Sequence, residues 1–460
     1  MKTQIEPFKI KTIEHINITT FAEREKYIKD ANYNPFSLRS DKITIDLLTD
    51  SGTTAMSSKQ WAALLDGDEA YAGSVSYYKF EDAVRNITGF KHIIPTHQGR
   101  AAEKVFFSTI ANKNSVIPNN THFDTTRGNL EFIGATAIDI PTEEGTKPEV
   151  IADFKGNIDL NLLEDAIKKY GKEKIPVVMI TITNNSGGGQ PVSMENIRET
   201  SKICKKYGIP FFLDCCRFAE NAYFIKLREK GYADKSIIDI CREMFSYADG
   251  ATMSAKKDGM SNSGGFIATN IDDIAEGCKT NLIVMEGFIT YGGLTRRDLE
   301  ALAIGFTEII DENYLRYRIN QTADLANQLT DAGVPLVLPA GAHALYIDAK
   351  RFASHIKPEH FPGQSIAVEI YKVGGIRTCE IGSIMFGRYE NDEKGDAHYV
   401  APQMELVRLA IPRRVYTKSH LDYVAEAVIE VYKNKDKLRP MKITWQAKFL
   451  RHFTCKCDYL

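Results

Sequence analysis

The sequence lacks a large excess of charge of either sign. Its 58 Lys and Arg residues nearly balance 60 Asp and Glu residues, which gives a formal net charge of −2 at pH 7. Nucleic acids and anionic membranes are bound through basic surfaces, so neither is expected as a partner. No stretch has the length and apolarity of a membrane helix, and residues 1–7 lack the apolar core of a signal peptide. These absences favour a cytoplasmic protein.

Cysteine is also scarce, with eight residues in 460. The adjacent pair Cys215 and Cys216 and the pair Cys455 and Cys457 do not have the spacing of a zinc site, so reduced thiols are expected. The sequence contains no G-x-x-x-x-G-K-[ST] motif and no G-x-G-x-x-G motif between a strand and a helix. Nucleotide binding therefore lacks its best sequence support.

The length of the chain predicts two to three domains. From 116 to 270 apolar strands alternate with amphipathic helices, which is typical of βαβ units and hence of a mostly parallel sheet flanked by helices. After about 310, long helices alternate with short strands. We therefore expect an α/β protein with an N-terminal arm that is part of a small domain (1–48), a large domain (49–310) and a small C-terminal α+β domain (311–460).

Polar residues follow three of the predicted strands. Asn185 follows the strand at 176–183, Asp214 ends the strand at 209–213, and Lys257 follows the apolar run at 251–253. Ligands of such sheets bind beyond the carboxyl ends of the strands, so these three side chains are candidates for one site.

Lys257 and Asp214 suit pyridoxal 5′-phosphate (PLP). This cofactor needs a lysine that forms an imine and a carboxylate that faces the ring nitrogen. Two alternatives remain at this point. The Ser-x-x-Lys pattern also occurs in serine acyl-transfer enzymes, although their partner motifs are absent here. The lysine could instead belong to a surface pair, with Asp214 capping a turn.

A candidate phosphate site lies at 95–100. Gln98, Gly99 and Arg100 open a predicted helix that runs through Phe107, and a helix start with an arginine suits an anion. An ordinary capped helix start is the alternative.

Seven segments together resemble a known family. They are 46–53 (DLLTDSGT), 67–74 (GDEAYAGS), 95–100 (PTHQGR), 188–193 (GGQPVS), 220–226 (ENAYFIK), 253–258 (MSAKKD) and 411–414 (IPRR). In this order the chain resembles the β-eliminating aromatic amino-acid lyases from about Glu6 to its C-terminus. The resemblance implies the architecture of PLP-dependent enzymes of fold type I, an amino-acid substrate, a homotetramer and activation by potassium.

The resemblance also assigns roles to individual residues. Lys257 would hold PLP as an imine and act as the catalytic base, and Asp214 would keep the ring nitrogen protonated. Cofactor contacts are implied for Gln98, Gly99, Arg100, Phe123, Asn185, Arg217, Ser254 and Lys256. Substrate-carboxylate contacts are implied for Thr49, Ser51 and Arg408, and Asn185 is counted with the substrate site too.

Two further sites follow from the resemblance. Tyr71 matches a catalytic tyrosine that donates a proton to the leaving ring, and a packed tyrosine is the structural alternative. Glu69 and the backbone carbonyls of Gly52 and Asn262 match a potassium site, and a helix-terminal carboxylate is the alternative for Glu69.

Three positions distinguish the branches of the family. The branch that releases phenol from tyrosine carries Thr, Arg and Phe at the positions where this chain has Asp124, Ile381 and His452. Asp124 and His452 could accept from an indole N–H and move protons, and Ile381 offers apolar surface. Individually they could be a capping aspartate, a core isoleucine and a surface histidine. Together they favour release of indole, pyruvate and ammonia from tryptophan.

Three other functions remain open from the sequence. They are the tyrosine reaction, an aminotransferase of fold type I, and a PLP-binding regulator without catalysis. Cys216 departs from the Ser, Thr or Ala that relatives more often carry, and its position beside Asp214 suggests a site sensitive to oxidation.

Overall fold

A computed structural model describes residues 5–391 and 397–460 of the chain. Two interpretations of the sequence involve residues outside this part. One concerns the start of the chain at 1–7, and the other is the expectation of a solvated loop or hairpin tip at 388–398; residues 1–4 and 392–396 of these segments lie outside the described part. The strands on either side, Arg388–Asn391 and Ala397–Val400, pair in an antiparallel hairpin.

Helices occur along almost the whole described chain. The α-helices of the described residues are α1 (Phe21–Asp30), α2 (Ser58–Asp66), α3 (Val75–Thr88), α4 (Gly99–Ile110), α5 (Asp124–Phe132), α6 (Leu160–Tyr170), α7 (Met194–Tyr207), α8 (Phe218–Arg228), α9 (Ile237–Ser246), α10 (Asp272–Met285), α11 (Arg296–Glu308), α12 (Glu312–Asp331), α13 (Ala349–Phe352), α14 (Pro362–Gly374), α15 (Ser383–Phe386) and α16 (Lys418–Lys433).

The strands are mostly short. Those of the described residues are β1 (Ile45–Asp46), β2 (His92–Thr96), β3 (Val116–Asn119), β4 (Thr136–Asp139), β5 (Val178–Thr181), β6 (Phe211–Asp214), β7 (Gly250–Ser254), β8 (Gly265–Thr269), β9 (Ala344–Asp348), β10 (Ile376–Arg377), β11 (Cys379–Ile381), β12 (Arg388–Asn391), β13 (Ala397–Val400), β14 (Leu406–Ala410), β15 (Met441–Trp445) and β16 (Lys456–Tyr459).

The main sheet has the strand order β2-β8-β7-β6-β5. Strands β5, β6 and β7 are parallel, whereas β8 runs antiparallel to both of its neighbours. Alternate residues of β6 face opposite cores: Phe211 and Leu213 pack in one apolar cluster and Phe212 packs in another. A sheet covered on both faces requires such a continuous apolar run. The predicted mostly parallel sheet flanked by helices is therefore confirmed.

The helix before β6 begins and ends where its sequence predicts. The side chain of Ser193 accepts a hydrogen bond from the amide of Asn196, and Gly208 ends the helix in the left-handed conformation at φ 66°. A serine N-cap satisfies an amide that the helix leaves unpaired, and glycine adopts positive φ without a Cβ clash. The pair thereby sets the length of α7 and the point at which the chain enters β6.

A second, antiparallel sheet has the order β11-β14-β9 and packs on α14 and α16 in a separate apolar core. Ile45 and Leu47 from the N-terminal segment belong to that core as well. The strand predicted at 336–338 is reduced to one isolated bridge between Leu336 and Ile347. The short segment ends at a cis Leu338–Pro339 bond, and proline cannot donate to a strand ladder.

Helix α12 takes part in both cores. Its first half contributes Leu315 and Ile319 to the larger core, and its second half contributes Leu325 and Leu329 to the core of the small sheet. The two packed bodies are thus joined by a continuous helix as well as by loops.

No helix of the described residues combines the length and apolarity needed to cross a membrane.

Candidate active site

A cavity of about 260 Å³ lies at the carboxyl ends of β5, β6 and β7. It brings together fourteen of the residues predicted from the sequence. These are Thr49, Ser51, Gln98, Gly99, Arg100, Phe123, Asp124, Asn185, Asp214, Arg217, Ser254, Lys256, Lys257 and Arg408. The parallel strands explain the convergence, because their carboxyl ends share one edge of the sheet.

Cys216 lies between the two residues that the PLP interpretation depends on. Its Sγ is 2.9 Å from Oδ1 of Asp214, to which the thiol donates, and 3.9 Å from Nζ of Lys257. The amide of Ser254 donates to the same sulfur over 3.3 Å. Burial and the neighbouring Asp214 carboxylate raise the pKa of Cys216 to about 12. The residue is therefore a neutral thiol that joins Asp214 to the end of β7.

Helix α4 begins in close contact with the end of β7. A Cβ on Gly99 would lie 2.4 Å from Cβ of Ser254, so only glycine allows this approach. The contact places the first amides of α4 beside Ser254 and close to Arg100 and Lys256. Burial, with the charges of Lys257 and Arg100, lowers the pKa of Lys256. Crowded cations at a helix start form an environment that favours an anion.

The Arg217 guanidinium is held by a buried carboxylate. Its Nε and Nη2 donate to Asp50 over 3.0 and 2.7 Å, and Arg413 donates to the same carboxylate over 2.9 Å. Although burial alone would raise the pKa of Asp50, Arg217 and Arg413 hold it well below its usual range. Arg413 also pairs with Glu220 and Asp258. This network orients Arg217 towards the cavity.

Arg408 and Asn185 are neighbours on the opposite wall. Nη1 of Arg408 donates to Oδ1 of Asn185 over 3.3 Å, and Nη2 donates to the carbonyl of Leu48 over 2.9 Å. Tyr346 donates to the same Asn185 oxygen over 2.6 Å. Nε of Arg408 is buried and has no hydrogen-bond partner within residues 5–391 and 397–460. A buried guanidinium with an unused N–H group suits a ligand carboxylate.

Glu103 lines the same cavity and was not singled out in the sequence. Burial and the Asp214 carboxylate raise its pKa to about 7. Thr126 donates to Oε1 over 2.5 Å. The available signal was spacing, since Glu103 follows Gly99 by four residues and therefore lies on the same face of α4.

A second cavity, of about 560 Å³, adjoins the first, and Asp124 and Met385 line both. Ile381 and His452 line this second cavity. Nε2 of His452 lies 2.8 Å from Oδ2 of Asp124, and both side chains are buried. Asn34 donates to the carbonyl of His452 over 3.2 Å, which connects the N-terminal segment to this pair. The three residues that distinguish the family branches therefore lie around one space.

Tyr71 does not line the cavity in which Lys257 lies. Its side chain is 65% exposed, and its ring contacts Phe288 and Tyr291 at centroid distances of 5.5 Å. Its hydrogen bond with Tyr291 raises its pKa. Glu69, two residues earlier, is also exposed and pairs with Arg297 over 2.9 Å. The structure of one chain thus leaves both residues outside the site that the resemblance implies.

The other two predicted potassium ligands are adjacent. The side-chain amide of Asn262 donates to the carbonyl of Gly52 over 3.0 Å. Gly52 has φ 74°, and a Cβ there would lie 2.9 Å from the carbonyl oxygen of Asn262. Among the described residues, no hydrogen bond or ion pair joins Glu69 to either of them.

The residues at the first cavity fit PLP. Lys257 supplies an amine, Asp214 supplies a buried carboxylate, and the start of α4 with Arg100 and Lys256 supplies an anion cradle. The contact of Gly99 with Ser254 shows that this cradle tolerates no added carbon atom on the backbone.

Comparisons with known proteins agree with this chemistry. The chain is 55% identical to the tryptophanase of Rhodobacter capsulatus and 54% identical to that of Hyphomonas neptunium, over 460 residues and 100% of each chain. It is 47% identical to the tyrosine phenol-lyase of Pasteurella multocida over 453 residues and 98% of each chain.

The fold has a more distant counterpart as well. A solved structure of the SepCysS–SepCysE N-terminal domain complex matches with a TM-score of 0.56 at 14% identity, covering 86% of this chain and 96% of that one. The model of the β-eliminating lyase family matches residues 46–427. The chain belongs to the β-eliminating lyases, a PLP-dependent family of carbon–carbon lyases.

Proposed function

We propose that the protein converts L-tryptophan and water to indole, pyruvate and ammonia. The observation that carries this proposal is the buried hydrogen bond between His452 and Asp124, where the two cavities meet. It adjoins apolar Ile381 and provides polar groups for an indole N–H. The full-length relatives at 54–55% identity carry the name tryptophanase.

The residues of the first cavity bind and position the substrate. PLP, when bound, supplies an electron sink for the carbanion formed at the substrate's α-carbon. Arg408 binds the substrate carboxylate with Thr49, Ser51 and Asn185, and Lys257 removes the α-proton. Asp214 would keep a proton on the ring nitrogen of PLP, and Arg217, Asn185 and Phe123 line the same cavity and would hold the ring.

The residues around the second cavity act on the proton that the leaving indole ring must gain. The indole ring must gain a proton at the carbon that bonds to the side chain before it can leave as a neutral molecule. His452 and Asp124 form a buried pair that can orient the ring N–H and hold a proton nearby. Ile381 excludes water from the same space because its side chain is apolar and buried.

We propose that a second copy of the chain completes the site. Glu69 and Tyr71 lie on the same exposed segment, and both are outside the cavity of their own chain. Bringing this segment to another copy would place Tyr71 at the leaving ring. Glu69 would then lie near the carbonyls of Gly52 and Asn262, where oxygen ligands suit potassium. Such a contact needs at least two copies, and we propose the homotetramer that the family resemblance implies. All eight cysteines are free, as expected in the cytoplasm.

The domain division stays part of the proposal, with an N-terminal arm at 1–48, a PLP-binding domain at 49–310 and a small domain at 311–460. The separate apolar cores support two bodies. Because α12 packs in both, this helix is the physical boundary between them.

The test measures products from the purified, PLP-loaded protein. With L-tryptophan, indole, pyruvate and ammonia should form in equal amounts, and potassium should raise the rate relative to sodium. With L-tyrosine in the same assay, phenol release should be much slower. Faster phenol than indole release would favour the tyrosine reaction. Amino transfer to a keto acid without ammonia would refute the lyase reaction.

A further inference from the structure

Two buried carboxyl groups face each other below the wall of the aromatic cavity. Glu380 lies in the middle of β11, and Glu405 directly precedes β14, the strand that pairs with β11. Their residues are 4% and 5% exposed. Both carboxyl groups lie against Gly382, where an added Cβ would be 2.3 Å from Oε1 of Glu405 and 2.9 Å from Oε1 of Glu380. Two buried carboxylates this close repel each other strongly when both are ionised, so one of them must carry a proton.

The pair binds the start of α15. The amide and hydroxyl of Ser383 donate to Glu405, the amide over 2.9 Å. The amides of Ile384 and Met385 donate to Glu380 over 2.9 and 3.2 Å. Only glycine fits at position 382 beside these contacts, because a Cβ there would lie 2.3 Å from Oε1 of Glu405. The short helix is therefore fastened to the carboxyl pair through its own amides.

No lysine or arginine of the described residues forms an ion pair with either carboxyl group. The titratable and charged groups that face them from the packed elements are Cys379 on β11, Tyr399 on β13, Cys457 on β16 and Arg451, which bonds to α15 rather than to the carboxyls. Burial and the Glu405 charge raise the pKa of Glu380 well above its usual range. Burial raises the pKa of Glu405 to about 7.

Helix α15 and its flanks form part of the wall on which the aromatic ring would lie. Met385 lines both cavities, and Phe386 and Ile381 line the larger one. Arg451 donates to the carbonyls of Ser383 and Ile384 over 2.8 and 2.7 Å, and it directly precedes His452. The position of α15 is therefore coupled to the wall and to the histidine.

We propose that Glu380 and Glu405 share one proton and are positioning residues that hold α15 as the wall of the aromatic cavity. This inference rests on the proposed function. When the shared proton is lost, repulsion between the carboxylates loosens their hold on Ser383 and Met385, and the wall retreats. The pKa of each carboxyl group is raised above that of an unfolded glutamate. The protonated pair therefore contributes stability that is complete below about pH 4.5 and is lost as pH rises through the raised pKa values, which is about 7 for Glu405.

The test compares two substitutions at one position. Glu405→Gln has the shape of the protonated acid and titrates no proton, whereas Glu405→Ala removes the contacts with Ser383. The measurements are kcat/KM for L-tryptophan and for S-methyl-L-cysteine, from about pH 6 to about pH 9. The second substrate has a small thiolate leaving group that needs no aromatic wall. Glu369→Gln, which removes a half-exposed carboxylate of α14, is the control.

The wild type should lose activity towards tryptophan at alkaline pH more steeply than towards S-methyl-L-cysteine. Glu405→Gln should abolish that difference, and Glu405→Ala should lower kcat/KM for tryptophan by about 10–100-fold with little change for S-methyl-L-cysteine. Equal losses for both substrates in Glu405→Ala would show a merely structural role and overturn the inference.

Thermal unfolding tests the shared proton without any turnover. The Tm of the wild type should fall as pH rises from about 5 to about 8, and that of Glu405→Gln should fall less. The same fall in both proteins would refute proton sharing. A wild type that releases no indole would refute the proposed function. The unfolding comparison would still show whether Glu380 and Glu405 share a proton.

Discussion

The wall of the cavity around Asp214 and the segment 67–74 differ in exposure. Asp214 is buried within its own chain, whereas Tyr71 of the segment lies on the surface. Around Asp214, buried strands hold Cys216 against Asp214, and an ion pair with Asp50 holds Arg217. In 67–74, Tyr71 and Glu69 lie exposed and contact neighbouring surface residues such as Tyr291 and Arg297. One chain thus completes the part that fits the cofactor, and the exposed segment is the part that we propose meets another copy.

Of the substitutions in the cavity around Asp214, the loss of Lys257 should lower activity the most. Lys257→Ala loses the base that removes the α-proton, so kcat for tryptophan should fall by about 10²–10⁴-fold or more. Indole release measures the loss. Lys256→Ala, one residue earlier, should mainly weaken PLP binding. Retained indole release in Lys257→Ala would contradict the role assigned to this lysine.

Tyr71 tests the exposed segment. Tyr71→Phe should lower the rate with tryptophan by about 10²–10⁴-fold because the phenolic proton donor is lost. Tyr78→Phe, another exposed tyrosine nearby, is the control and should keep wild-type activity.

Hybrid oligomers decide which chain the tyrosine serves. Mixed assemblies of inactive Tyr71→Phe and Lys257→Ala chains should regain activity, because some sites then combine an intact lysine with an intact tyrosine. If assembled hybrids stay inactive, Tyr71 acts within its own chain, and the segment 67–74 does not serve another copy.

A substitution of Gly99 tests whether its close contact with Ser254 is needed for PLP binding. Gly99→Ala places a carbon atom 2.4 Å from Cβ of Ser254 and should weaken PLP binding by about 1–3 kcal/mol, as overpacking does. Adding Ser254→Gly removes the nearest atom and should restore part of the affinity. PLP titration of the apoprotein measures both effects, and unchanged affinity in Gly99→Ala would show that the contact does not shape the cradle.

Cys216 should give the smallest effect. Because its pKa is raised to about 12, the thiol stays protonated over the working pH range, and Cys216→Ser should leave the pH profile unchanged. Cys216→Ala loses the hydrogen bond to Asp214 and should cost about 1 kcal/mol of PLP affinity. Rapid alkylation of Cys216 by iodoacetamide at neutral pH would contradict the raised pKa.

Much of the cofactor side could be predicted from the sequence because it follows from strand order. Asn185, Asp214 and Lys257 end or follow parallel strands, and that geometry alone brings them to one edge. The branch-distinguishing residues Asp124 and His452 also meet in space, although 328 positions separate them, and only the family resemblance could relate them.

Other parts could not be predicted, for physical reasons. The partners of Arg217 and Arg408 are Asp50 and Asn185, which are distant in sequence and which no periodicity reveals. Glu103 and Glu405 look like ordinary surface carboxylates in the sequence, and their pKa is raised only because the fold buries them. The exposed position of Tyr71 depends on how the segment 67–74 packs on its own chain, and the sequence pattern did not reveal it.

The shared helix α12 has a mechanical consequence. Twenty residues of α-helix form a rod about 30 Å long, and here each half is anchored in a different body. Any tilt of the small sheet, with Arg408 on it, must therefore pivot or flex this rod. If Arg408 moves the small sheet when it binds a carboxylate, this helix has to absorb the movement.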